Sequence, residues 1–298
     1  MSTSQTISLA GLGTFRDYVA LTKPRVTTLV LITMAGGMWL APQTPSLAVV
    51  FAALLGTATV VGSANALNCW IERDADRLMV RTASRPLPAG RMHPRHALIF
   101  GTGLGLISVP MLTFLVNPLT GLVGAAALIS YVAVYTPLKQ KSPVALLIGA
   151  IPGALPPLMG WTAATSRLEA PAVVLFLILF LWQIPHFIAI AIFRQEDYTR
   201  AGMQVLPAVY GAQTAKIHAV FWAAILIPVS LLLVPMGVAG TAYLVTALAL
   251  GLFFLTVTLV GLKPTAGRRW ARQLFFASLL YLTLLFVVLI VDAGIGNR

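Results

Sequence analysis

"LAVVFAALLGTATVVGSANALNCWIERDADRLMVR", residues 47–81, sets an apolar run directly against a dense block of opposed charge. Residues 47–68 carry no charged side chain, and as a helix such a run crosses about 30 Å of hydrocarbon. Charge then begins abruptly. Three of the eight acidic residues in the chain, Glu72, Asp74 and Asp76, fall within five positions, and Arg77, Arg81, Arg85 and Arg91 follow.

The rest of the chain repeats the apolar theme. Of its 298 residues, 58% are hydrophobic and 9% charged, against about 25% charged in soluble domains. A water-facing surface cannot be built from this composition. Apolar runs of spanning length lie at about 25–41, 47–68, 96–115, 118–136, 143–163, 170–192, 217–235, 239–261 and 273–292. Strict alternation of the membrane-barrel kind is absent, so helices are expected. The fold class is therefore all-α: nine transmembrane helices around a central cavity, as one domain over 1–298. Residues 1–24 form the cytoplasmic N-terminal segment, and 72–95 and 193–216 are cytoplasmic active-site loops. No signal-peptide core or Arg-rich transit segment opens the chain, so the first span is expected to be retained. The single cysteine, Cys69, excludes an intramolecular disulfide and reads as helix packing.

Twenty Lys and Arg give a net charge of +12, which in a soluble protein points to nucleic acid. Their placement points elsewhere. With nine spans and the N-terminus inside, 18 of the 20 fall on the cytoplasmic side, leaving Arg167 and Arg298 outside. That split obeys the positive-inside rule, so a bacterial plasma membrane is expected and nucleic acid is not.

The outer loops are short, so chemistry is expected at the inner helix ends. On a helix, residues four apart stand above one another, which makes Asn68, Glu72 and Asp76 one polar stripe. Asp74 projects from the opposite side. An amide and two carboxylates suit Mg²⁺, which takes one or two carboxylates and completes its shell with water and phosphate oxygens. Arg77, Arg81 and Arg85 suit phosphate. A bland alternative pairs Glu72 and Asp76 with Arg73 and Arg77 in a self-neutralising interfacial loop. A second cluster weighs against it: "FRQEDYTRAGMQVLP" places Glu196 and Asp197 between Arg194 and Arg200, four helices later. Five of the eight acids lie in these two segments, as an internal pseudo-repeat of two similar bundles would place them.

These stretches resemble the UbiA-type intramembrane prenyltransferases, and within them the protohaem IX farnesyltransferase (haem O synthase) group. The superfamily's first motif, Asn-x-x-x-Asp-x-x-x-Asp, stands as Asn68, Glu72 and Asp76, with Glu in the middle place. "ERDADRLMVRTASRPLPAGR" (72–91), "LTKPRV" (21–26), "YTPLKQKSPVALLIGAIPGALPPLMGW" (135–161), "WQIPHF" (182–187) and "DYTRAGMQVLP" (197–207) extend the likeness over nearly the whole chain. Where the family's second motif has two or three aspartates spaced by four, this chain has only Glu196 and Asp197. The resemblance implies transfer of farnesyl from farnesyl diphosphate to a vinyl group of haem B, giving haem O for terminal oxidase assembly. It implies Mg²⁺ on Asn68, Glu72, Asp76 and Asp197, with Arg81, Arg85, Lys139, Lys23 and Arg194 on the diphosphate. Membrane lipid and a downstream haem-modifying enzyme or oxidase assembly factor are the expected partners.

His186 lies among apolar residues, where packing is the commoner role. The haem-processing likeness raises a porphyrin or iron contact, since imidazole is the usual haem-iron ligand. The Gly and Pro of 149–160 serve either close packing or room for a flat macrocycle or isoprenoid. Two rivals remain: a prenyltransferase for a quinone-type aromatic or another tetrapyrrole, and a transporter of an anionic substrate. Transporters set charge near the bilayer midplane, whereas almost all charge here is at inner helix ends.

Overall fold

The computed structural model describes residues 11–296; the expected placements of residues 1–10 and of Arg298 lie outside them. Nine long helices run through the described residues: α1 (Pro24–Leu40), α2 (Leu47–Ile71), α3 (Pro94–Leu115), α4 (Pro118–Leu138), α5 (Ala145–Thr165), α6 (Ala170–Phe193), α7 (Gly211–Leu231), α8 (Thr241–Val260) and α9 (Arg268–Gly296). Eight of them have both the length and the hydropathy of a membrane span. The ninth, α1, has 17 residues, still enough to cross with little tilt. In lipid every backbone polar group must be satisfied within its own helix, which is why these runs are helical whatever their propensity.

Local chemistry sets the ends. The Ser46 side chain accepts from Val49 N and the Asn117 side chain from Thr120 N, and Pro94 and Pro118 begin their helices where no N–H is required. Within α4, residues Ser130–Tyr135 widen to a π-helical turn. The only β pairing among the described residues is an isolated bridge between Leu12 and Met92.

Helices α5 and α6 are the most enclosed, while α3 and α8 present most of their surface outward. A large core joins α5 and α6 to α7, α8 and α9, and a smaller one joins α1, α2, α3 and α5. Lipid removes the hydrophobic drive between helices, so small residues and close approach hold them together. At the crossing of α1 and α5, a Cβ on Gly37 would collide with the Pro157 backbone, and one on Gly160 with Met34 O. Gly160→Ala is therefore expected to destabilise the fold by roughly 1–3 kcal/mol, as overpacking does. Gly103→Ala on α3, with nothing within 4 Å, should be neutral or gain helix propensity. Thermal midpoints in one detergent compare the two; equal midpoints would mean that the α1–α5 contact does not limit stability.

The expected pseudo-repeat has a local counterpart. Helix α2 breaks at Glu72 (φ −87°, ψ 5°) into the six-residue helix Arg73–Leu78. Helix α6 breaks at Arg194 (φ −111°, ψ 17°) into the six-residue helix Gln195–Arg200. In this register Asn68, Glu72 and Asp76 correspond to Ile190, Arg194 and Tyr198, so Asp197 falls one position off the stripe.

Candidate active site

The stripe survives the break at Glu72. Glu72 N donates to Asn68 O at 2.9 Å and Asp76 N to Glu72 O at 2.8 Å, so the four-residue spacing is maintained. Asn68, Glu72 and Asp76 are 3%, 2% and 1% exposed, far below ordinary surface carboxylates. Asp74 is exposed and pairs with Arg73 at 3.7 Å and Arg77 at 3.5 Å. The self-neutralising loop is thus built by Asp74, and the stripe residues find other partners.

Those partners come from three separate segments. Lys23 Nζ donates to Asn68 Oδ1 at 2.9 Å, Lys139 Nζ to Glu72 Oε1 at 3.1 Å, and Arg85 Nη1 to Asp76 Oδ2 at 2.6 Å. Asn68 Nδ2 donates to Thr136 Oγ1 at 3.3 Å. One acceptor is left over: Asp76 Oδ1 is buried with no hydrogen-bond partner. A buried carboxylate oxygen without a donor is costly, and it is the kind of oxygen a hard cation takes. No group of three or more His, Cys, Asp or Glu is assembled for a metal among the described residues. The available donors are two carboxylates and one amide, enough for a cation that draws the rest of its shell from water and phosphate.

Backbone strain and clamping support these positions. Lys23, where the helix Phe15–Thr22 turns into α1, sits at φ 50°, uncommon for a residue with a side chain. Burial, with Arg85 and Lys139 nearby, pushes its ammonium below the ordinary range. The loop carrying Arg81 and Arg85 is tied at both ends. Thr82 Oγ1 donates to Asp76 O at 2.8 Å, and Arg91 Nε donates to Asp17 Oδ1 at 2.9 Å. Asp17 and Thr14 form a capping box, and the Thr14 backbone N–H together with Arg91 holds the Asp17 carboxyl below its usual value. His93 N donates to Gly11 O at 2.8 Å, closing the clamp.

The stripe forms the mouth of a cavity of about 530 Å³. Lys23, Arg81, Arg85 and Lys139 line its charged end with Asn68, Glu72 and Asp76. Deeper walls come from Tyr131 and Tyr135 on the π-helical turn, Gly149 and Gly153 on α5, and Gln183, Phe187, Ile190 and Ala191 on α6. Tyr198 and Gln204 close the far side. A second cavity of about 810 Å³ opens at the opposite end, with no charged side chain lining it among the described residues. Chemistry on a charged group belongs to the first.

The structure does not bring every expected residue to this cavity. Asp197 and Arg194 are absent from its lining; they face each other at 3.8 Å, and Arg200 reaches Asp197 at 3.9 Å. Glu196 is paired with Arg268 at 2.9 Å. The one-position offset from the stripe explains this: Ile190 and Tyr198 take the inward places that Asn68 and Asp76 hold in the first half. His186 also lies outside the lining. It stacks on Trp182 with centroids 4.8 Å apart, and its Nδ1 is 2.7 Å from Ser278 Oγ on α9. The cavity face of α6 is Gln183, Phe187, Ile190 and Ala191, and His186 turns from it towards α9. Conversely, Tyr131, Tyr135, Gln183 and Tyr198 line the cavity although no spacing or motif position assigns them a role. An isolated amide within the 24-residue apolar helix α6 was the available signal.

The UbiA prenyltransferase family model matches residues 29–280. The chain belongs to that family. A protoheme IX farnesyltransferase of Anaeromyxobacter sp. (strain Fw109-5) is 50% identical over 278 residues, covering 93% of this chain and 94% of the relative. A solved structure of a digeranylgeranylglyceryl phosphate synthase superposes with TM-score 0.81 at 19% identity, over 93% of this chain and 98% of that one. A UbiA homolog from Archaeoglobus fulgidus bound to DMAPP and Mg²⁺ superposes with TM-score 0.68 at 21% identity, over 92% and 99%. At those identities the structures establish a shared fold. As a UbiA family member this chain is an integral membrane prenyltransferase.

Proposed function

We infer that this chain transfers the farnesyl group of farnesyl diphosphate to a vinyl group of protohaem IX, forming haem O and releasing diphosphate. The observation that carries the reading is the meeting of Asn68, Glu72 and Asp76 with Lys23, Arg85 and Lys139 at the mouth of an apolar cavity. The high identity to a relative named for this reaction supports the choice of substrates.

Asn68, Glu72 and Asp76 would hold Mg²⁺, and the unpartnered Asp76 Oδ1 is the donor with least to give up. When bound, the ion neutralises charge on diphosphate oxygens as a Lewis acid. Arg81 and Arg85 bind the diphosphate through their guanidinium forks, and Lys139 and Lys23 add point charges. Arg85, Lys139 and Lys23 are held at the mouth by Asp76, Glu72 and Asn68, so the three cations are placed before they turn to substrate. Departure of diphosphate leaves an allylic cation, which the haem vinyl attacks. The deeper walls keep bulk water from that cation until the carbon–carbon bond has formed. Asp197, Arg194 and His186 have no part in this assignment.

Purified protein incubated with haem B, farnesyl diphosphate and Mg²⁺ should yield a pigment whose mass exceeds that of haem B by one farnesyl group and one hydroxyl. Recovery of haem B unchanged, under conditions where the protein is folded, would remove the reading. The charged end is assigned to the cytoplasm of a bacterial cell from the distribution of Lys and Arg. A single cysteine near Arg85, in a chain lacking Cys69, should label in intact cells with membrane-permeant reagents alone. Labelling by an impermeant reagent would reverse the orientation.

A further inference from the structure

One polar group in the cavity is not accounted for by diphosphate binding. Gln183 is 5% exposed and lies ten residues from the charged end of α6, about 15 Å along the helix. Its Nε2 donates to Leu179 O at 3.0 Å and Ala150 O at 3.3 Å. Only the amide nitrogen can donate, so these two bonds orient the group and leave Oε1 on the cavity side. No donor reaches Oε1 among the described residues. Room for it exists because Gly153 has no side chain: a Cβ there would collide with Oε1. Gly149, one turn nearer the charged end, is covered by the Tyr135 ring, whose centroid is 5.8 Å from Lys139 Nζ. Gln183 therefore sits in the cavity wall one turn of α5 beyond the Tyr135 ring, away from the charged mouth.

The proposed reaction has a step that needs such a group. Once the C1–O bond to diphosphate has broken, a bond forms between farnesyl C1 and the terminal vinyl carbon, leaving a cation on the inner vinyl carbon. Water adds its oxygen there, and the proton it loses leaves with the released diphosphate. Without a placed water the same cation sheds a proton and becomes an alkene. A water in an apolar cavity is held only where polar partners exist. Resting on the function inferred above, we propose that Gln183 Oε1 accepts a hydrogen bond from the water that adds to this cation. An accepted O–H leaves the water lone pair free and aimed at carbon.

The test is the product ratio. Gln183→Met retains length and removes the acceptor; in the full-length enzyme it should still farnesylate haem B. At least a tenfold rise in the ratio of product lacking one water to hydroxylated product is expected. Gln183→Glu, which retains a carbonyl-type acceptor, should restore the hydroxylated product. A packing role through Ala150 alone would lower stability or total turnover without moving this ratio. Wild-type ratios in Gln183→Met, or loss of all farnesylated product in a folded Gln183→Met that binds both substrates, would overturn the assignment. Wild-type enzyme that makes no farnesylated haem would instead overturn the functional reading, and this step with it.

Discussion

Asp76→Asn is expected to lower farnesyl transfer by roughly 10²–10³-fold or more, the scale of losing one preorganised charge-stabilising group. The substitution retains shape while removing the charge of a side chain that is 1% exposed and pairs with Arg85 at 2.6 Å. It also replaces the unpartnered carboxylate oxygen, the donor best placed for a cation. Glu72→Gln should follow it closely. Asp74→Asn is the decisive control, because Asp74 is two residues away yet exposed and paired with Arg73 and Arg77. It should retain turnover within a few-fold. Product formation at saturating substrate, beside thermal midpoints to confirm folding, separates the three. Comparable losses in Asp74→Asn and Asp76→Asn, with both proteins folded, would show that the stripe geometry does not govern catalysis.

Arg85→Gln is expected to weaken farnesyl diphosphate binding by ten- to a hundredfold, about 1.5–3 kcal/mol for a charge-assisted contact. Haem B binding, followed by its absorption, should be little changed. The matched control is Arg194→Gln. Both arginines pair with an aspartate, Arg85 with Asp76 at 2.6 Å and Arg194 with Asp197 at 3.8 Å, but Arg85 lines the cavity and Arg194 does not. Arg194 lies over the Phe193 ring and beside Asp197, so its removal should leave diphosphate affinity near wild type. Equal losses in the two variants would place the second cluster back in the site. Lys139→Met should resemble Arg85→Gln, since each removes the cation paired with a buried carboxylate, Glu72 in one case and Asp76 in the other.

Much of this arrangement was readable before any coordinates. The expected spans at 47–68 and 170–192 became Leu47–Ile71 and Ala170–Phe193, because the thickness of hydrocarbon sets helix length and lipid forbids unsatisfied backbone. Asn68, Glu72 and Asp76 form one buried stripe with Asp74 turned away, as their spacing dictates. The second cluster was not readable in the same way. Its acids lie close to the corresponding helix end, yet a one-residue offset turns Tyr198 inward and Asp197 aside. Composition sees the cluster; only the register about the helix axis says which side chain enters the cavity.

His186 makes the same point within a single helix. Gln183 and His186 are three residues apart on α6, and either could have faced the cavity. Packing of α6 between α5 and α9 decided it, sending His186 to Ser278 and Gln183 to the cavity wall. What the sequence by itself determined is local or set by the solvent: helical spans, their number and the four-residue stripe. What tertiary structure alone decided is which distant cations meet that stripe: Lys23, Lys139 and Arg85 come from 45, 67 and 9 residues away. Periodicity fixes the angle between side chains on one helix, while the rotation of each helix against its neighbours is set by packing of small residues such as Gly37 and Gly160.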